Sequence, residues 1–181
     1  MQFLTTPIAG LWQVHTAQRA DARGALTRLY CADEFEIIAP ALRFVQCNHT
    51  LTHRRGSLRG LHVQRAPALE TKLVRCLRGR VYDVAVDLRQ GSATFCQWFA
   101  VELFGQRQLL IPPGVAHGFQ TLEDDCEMLY QHSAAHAPEH ELGARHDDPR
   151  LGIAWPLPVS EISARDQQHA LLGAHFDGLA P

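Results

Sequence analysis

The chain holds five cysteines, Cys31, Cys47, Cys76, Cys96 and Cys126, an odd number in which no two stand as Cys-x-x-Cys. That argues against a complete disulfide framework and a zinc knuckle, and fits reduced thiols in a cytoplasmic protein. It also lacks any excess of charge: 17 Lys and Arg oppose 19 Asp and Glu, for a net charge of -2, and the aromatic residues are scattered instead of interleaved with a basic stripe. Nucleic acid is therefore not an expected partner. No apolar stretch is long enough to span a membrane, and Met1-Gln2-Phe3-Leu4-Thr5-Thr6-Pro7 has no basic region leading into an apolar run. Neither a membrane segment nor an export signal is expected. Repeats, low-complexity tracts and linkers are missing too.

What is present suits one domain over 1–181, long enough to bury a core without staples. From about residue 43 to residue 131 the sequence alternates and turns at short intervals, the pattern of an all-β domain. In 81–88 Tyr82, Val84, Val86 and Leu88 fall on one face and Asp83 and Asp87 on the other, with Gly79 and Gly91 marking turns. Further strands are expected over 95–103, 108–111, 115–122 and 126–131, with Pro112-Pro113-Gly114 as a turn. Strands so spaced, without helical crossovers, predict an antiparallel sandwich or barrel such as a jelly roll. A short helix is expected over 33–38, and Ser163-Ala164-Arg165-Asp166 predicts a capped C-terminal helix continuing through 167–172.

Chemistry concentrates in Leu58-Arg59-Gly60-Leu61-His62-Val63-Gln64. A His-x-His pair would put two imidazoles on one strand face as a metal pinch, whereas a single imidazole suits proton transfer near neutrality. Gln64 stands where the second ligand would be, so no metal is expected. Arg54, Arg55, Arg59 and Arg65 cluster around this segment, and guanidinium groups suit a phosphorylated ligand, although Arg54 and Arg55 also fit a solvated loop.

Several phrases in order carry a resemblance: Asp21-Ala22-Arg23-Gly24, Gln46-Cys47-Asn48-His49, Leu58-Arg59-Gly60-Leu61-His62, Lys72-Leu73-Val74-Arg75, 81–89, Ile111-Pro112-Pro113-Gly114-Val115-Ala116-His117-Gly118-Phe119 and Trp155-Pro156. Together they resemble the dTDP-4-dehydrorhamnose 3,5-epimerases, cupin-fold enzymes of deoxysugar biosynthesis. The resemblance implies a jelly-roll domain, no metal or redox cofactor, and inversion of carbons flanking the ketone of a nucleotide-linked 4-keto-6-deoxyhexose. Such chemistry needs a base for the α-proton and a charge to hold the enolate. The resemblance makes His62 the base, Asp166 the carboxylate that orients it, Lys72 the ammonium near the keto oxygen and Tyr130 the proton donor on the opposite face. Taken by itself, Asp166 also reads as a capping acid after Ser163, and Tyr130 as a core tyrosine. The resemblance further implies substrate contacts at Arg23, Gln46, Asn48, Arg59, His117, Glu141 and Arg165, and a homodimer in which an N-terminal strand carrying Arg23 completes the neighbour's site.

The chain departs from the family pattern at the nucleotide end. Arg28 stands where a glutamate holds thymine, Ala134, Ala135 and His136 follow Tyr130 in place of aromatics, and Glu70 replaces glutamine. Val63 and Leu110 replace a frequent tyrosine and tryptophan. These changes lead to the expectation of a base other than thymine, or of thymine held by other contacts. Two further readings stand beside the epimerase: a non-catalytic cupin that binds a sugar nucleotide, and a metal-dependent cupin oxygenase.

Overall fold

Alternating residues bury a strand only if something covers each face, and here both faces of several strands are covered. A computed structural model describes residues 1–180. One sheet contains β1 (Gln2–Thr5), β2 (Trp12–His15), β5 (Gln46–Thr52), β7 (Lys72–Arg78), β10 (Arg107–Ile111) and β12 (Cys126–His132), in the order β1-β2-β10-β7-β12-β5. The second contains β6 (Leu58–Gln64), β8 (Val81–Asp87), β9 (Trp98–Leu103), β11 (Val115–Thr121) and β13 (Glu141–Gly143), in the order β13-β6-β11-β8-β9. Their pairings are antiparallel, as the sequence predicts. A separate hairpin, β3 (Gln18–Asp21) with β4 (Gly24–Thr27), pairs only with itself.

Val74, Cys76, Leu109, Ile111 and Met128 from the first sheet meet Val81, Ala85, Leu103, Val115 and Phe119 from the second in one buried cluster. This layer between the sheets fills one end of the sandwich. Val84, Val86 and Leu88 on the outer face of the second sheet are covered by the C-terminal chain through Leu151, Trp155, Leu172 and Phe176. The outer face of the first sheet is covered by α1 (Ala32–Phe35) and its flanks, with Phe35 packed on Leu73 and Leu110. Each fully buried side chain of this size contributes about 1.5–3 kcal/mol. The face of β8 that carries Asp83 and Asp87 therefore turns into the protein, and both acids are wholly buried.

Three expectations are corrected. The first helix is a single turn, Ala32–Phe35, and ends before 38. The C-terminal helix α2 covers only Ala164–Gln167. Ser163 caps it by accepting from the Asp166 N–H at 3.0 Å, but the chain then turns so that Leu172 joins the core and its N–H reaches Asp148 Oδ2 at 2.6 Å. The strand expected from residue 95 starts at Trp98, because Ser92 and Thr94 fold back to donate hydroxyls to Asp87 Oδ2, each at 2.6 Å. Among the described residues no helix is long and apolar enough to cross a membrane.

One close approach positions the chemistry. His62 lies opposite His117 and Arg59 opposite Phe119, so Gly60 and Leu61 together oppose Gly118. This bulge brings two glycine backbones into contact: a Cβ at Gly118 would meet the Arg59 carbonyl oxygen at 2.7 Å and Gly60 Cα at 3.1 Å. Gly118→Ala is therefore expected to cost about 2 kcal/mol or more. Thermal unfolding of the variant checks this, and an unchanged midpoint would contradict it.

Candidate active site

At the end not filled by the apolar layer, the sandwich opens into a cavity of about 940 Å³. Its walls come from both sheets. β6 and β11 of one sheet carry Arg59, His62 and His117, while β5, β7 and β12 of the other carry Gln46, Asn48, Lys72 and Tyr130. Glu141 from β13, with Arg165 and Asp166 from α2, completes the set. Every residue that the resemblance implies for catalysis or substrate contact, except Arg23, thus lines one space.

The alternation of β6 sends Leu61 and Val63 to the outer core and His62 to the cavity. His62 Nε2 lies 2.8 Å from Asp166 Oδ1, and Asp166 Oδ2 accepts from the Gly60 N–H at 3.1 Å. The aspartate therefore serves both its strand and its histidine. Its capping role is confined to its backbone N–H, which leaves the carboxylate free to orient the ring. Asp166 is 2% exposed. Burial alone would raise its carboxyl, but the bonds from His62 and Gly60 outweigh that and hold it well below the usual carboxylate range. With Nε2 bound to Asp166, Nδ1 is the ring nitrogen left to take a proton.

A second pair sits deeper. His117 Nε2 is 2.9 Å from Asp83 Oδ2, and the other Asp83 oxygen has no partner. Burial pushes the Asp83 carboxyl up, with His117 opposing. Tyr130 lies beside this pair, its ring centroid 6.0 Å from that of His117. Burial pushes the Tyr130 phenol far above its ordinary value, so it stays a neutral O–H donor throughout the physiological range. Lys72, the sole lysine of the chain, is 8% exposed and donates to the main-chain oxygen of His62 at 3.2 Å. Its ammonium also meets Glu70 Oε1 at 3.1 Å, and Glu70 Oε2 meets His132 Nδ1 at 2.7 Å.

The polar contacts continue around the mouth. His132 approaches Asn48 at 3.4 Å, Asn48 accepts from Gln46 at 3.3 Å, and Gln46 accepts from the His136 N–H at 2.9 Å. The His136 ring is 3.1 Å from Glu141, which pairs with Arg165 at 2.8 Å, and Arg165 in turn reaches His62 Nε2 at 3.0 Å. Arg59 is held by Thr52 Oγ1 at 3.0 Å and stands at the exposed lip. By contrast, Arg23 sits on the free β3–β4 hairpin, 90% exposed and paired with Asp21 at 2.6 Å. Arg28 pairs with Glu34 at 2.7 Å and does not line the cavity.

Asp83, His132 and His169 were not anticipated from the sequence. The signal for Asp83 was available: an acid alternating with Tyr82 and Val84 on a strand covered on both sides must face a buried partner. Among the described residues His62, Asp166 and His169 form the one group placed to hold a metal, with donor atoms within 4.8 Å of one another. The Arg165 guanidinium already stands against His62 Nε2, so that edge faces a cation and poorly suits a second one.

Two facing sheets around a polar cavity at one end define the cupin class of β-sandwich. Residues 5–174 match the family model described as dTDP-4-dehydrorhamnose 3,5-epimerase, and the chain belongs to that family. It is 45% identical over 152 residues to the dTDP-4-dehydrorhamnose 3,5-epimerase of Pseudomonas aeruginosa, covering 82% of this chain and 83% of that one. It is 38% identical over 178 residues to the dTDP-4-dehydrorhamnose 3-epimerase of Streptomyces niveus, covering 96% and 86%. The crystal structure of the Legionella pneumophila dTDP-6-deoxy-D-glucose-3,5-epimerase in complex with dTDP-4-keto-L-rhamnose superposes with a TM-score of 0.89 at 38% identity, over 94% of this chain and 92% of that one.

The depressed Asp166 carboxyl links stability to pH. A group whose folded value lies below its unfolded value stabilises fully above the unfolded value and loses that contribution as pH falls toward the folded one. Asp166→Asn is expected to cost about 1.5–3 kcal/mol at pH 7. The gap to the parent protein narrows as pH drops below about 4. Denaturant unfolding across that range checks it, and a gap independent of pH would contradict the assignment.

Proposed function

We propose that this chain is an epimerase that inverts C3, C5 or both carbons of a dTDP-linked 4-keto-6-deoxyhexose, in deoxysugar biosynthesis. The observation that carries the reading is the placement of His62 and Tyr130 on opposite sheets, with Lys72 beside Tyr130's strand. A sugar ring between the sheets presents one face to the imidazole and the other to the phenol. His62, held by Asp166, takes the proton from the carbon next to the ketone, and the carboxylate stabilises the imidazolium that forms. The Lys72 ammonium and His117 meet the charge that develops on the keto oxygen. Tyr130 returns a proton from the other face, which inverts the carbon; return from His62 would restore it. Chelation by a metal ion has no part in this sequence of steps.

Gln46, Asn48, Arg59, Glu141 and Arg165 line the outer cavity and serve as contacts for the nucleotide diphosphate and sugar. Thymine is expected, as in the names of the relatives, held by contacts other than an acid at position 28. Arg23 fits a role in the site of a second copy. Its hairpin pairs with no other strand and stands away from its own cavity, which supports a homodimer in which each hairpin reaches the neighbour's mouth.

Two experiments test this. In heavy water with dTDP-4-keto-6-deoxyglucose, the protein should incorporate deuterium at C3, C5 or both. His62→Asn should slow exchange by about 10²–10⁴-fold. Tyr130→Phe should still exchange while forming little inverted product. A parent protein that exchanges neither carbon would sink the reading. For the dimer, Arg23→Ala and His62→Asn chains, each nearly inactive, should recover up to about one quarter of parental activity when refolded together, since half of the mixed dimers' sites are then intact. No recovery would exclude the shared site.

A further inference from the structure

A carboxylate and an imidazole of the cavity wall beside Lys72 and Tyr130, Glu70 and His132, have no part in the steps above. Glu70 precedes β7 and is 8% exposed; His132 ends β12, where the strand register sets it opposite Lys72. The Glu70 carboxylate is shared, one oxygen 3.1 Å from Lys72 Nζ and the other 2.7 Å from His132 Nδ1. The His132 ring stacks on Tyr130, with centroids 6.2 Å apart and planes at 14°. Ammonium, carboxylate and imidazole thus form a line that runs from the strand bearing Lys72 to the strand bearing Tyr130.

Two physical consequences follow. An ammonium has three N–H donors. Glu70 Oε1 and the main-chain oxygen of His62 engage two of them, so one is left for an oxygen of a bound molecule. The second consequence concerns charge. An ammonium bonded to a buried carboxylate is close to neutral as a pair, and a neutral pair stabilises a developing enolate weakly. A proton on His132 gives the trio one net positive charge without disturbing the Glu70 anchor. The Asn48 amide nitrogen 3.4 Å from His132 Nε2 can only donate, because its oxygen is turned to Gln46, so the Nε2–H of an imidazolium needs the acceptor that a bound anionic ligand would bring.

We propose that Glu70 and His132 are positioning residues for Lys72: Glu70 fixes the ammonium in the cavity, and His132, as an imidazolium, offsets the Glu70 carboxylate so that the ammonium's charge acts on the enolate oxygen. The pair transfers no proton during turnover. The inference rests on the epimerase reading and adds to it a residue pair that sets how strongly Lys72 can act.

The test is a double-mutant cycle read in steady-state kinetics and deuterium exchange. His132→Asn keeps a donor to Glu70 but carries no charge. It should lower kcat by about 10–100-fold with a much smaller change in KM, because the lost charge acts on the transition state. Adding Glu70→Gln removes the carboxylate that is left unbalanced, so Glu70→Gln/His132→Asn should regain most of the lost kcat. Such a rescue is a coupling that a merely structural role does not produce. Thermal unfolding verifies that each variant folds, and His132→Gln serves if His132→Asn does not. An unchanged kcat in the single variant, or a double variant no faster than it, would overturn the proposal while leaving parental exchange intact. Absence of exchange in the parent protein would overturn the epimerase reading and this inference with it.

Discussion

A carboxylate enclosed in a protein must be met by donors, or it gives up its charge. Three of the buried carboxylates in this sandwich are each met by an imidazole: Asp166 by His62, Asp83 by His117 and Glu70 by His132. The cavity exists because these pairs occupy the end of the sandwich that apolar side chains do not fill. The same pairing fixes which edge of each ring is tied down and which is free, and so decides where a proton can be accepted.

The fold meets that requirement through the backbone. The Gly60 and Gly118 contact draws β6 onto β11 and sets His62 directly opposite His117. The Gly60 N–H then anchors Asp166, and the short capped turn of α2 delivers that acid to the strand. Covering layers pack on the outer face of each sheet and hold the two walls, with His62 on one and Tyr130 on the other. The rim of contacts from His132 through Asn48, Gln46, His136, Glu141 and Arg165 back to His62 ties the walls together at the mouth.

Much of this was legible in the sequence. Period-two alternation located β8, β11 and β12 closely, since strand side chains on a buried sheet leave a strong signal. The lone His62 with Gln64 beyond it, together with the ordered family phrases, singled out His62, Asp166, Lys72 and Tyr130, and the structure gathers these four around one cavity. What was hidden was pairing at long range. His62 and Asp166 are 104 residues apart, Glu70 and His132 62 apart, and Asp83 and His117 34 apart. Asp166 satisfied a local rule for helix capping equally well, and only the strand beside it shows that its carboxylate serves His62. The length of α2 was overread because helical pattern gave way to the demand for Leu172 in the core. Arg23, expected as a substrate contact, stands outside the cavity because its hairpin joins neither sheet of the sandwich.

The central claim is that acid and base stand on opposite faces of the reacting sugar. It is tested most directly by a crystal structure of the protein with a bound 4-keto-6-deoxy sugar nucleotide. The account predicts the hexose between the two sheets, His62 Nδ1 facing C3 or C5 from one side, the Tyr130 hydroxyl facing the ring from the other, and Lys72 Nζ at the keto oxygen. A sugar with His62 and Tyr130 on the same face, or one seated outside this cavity, would contradict it.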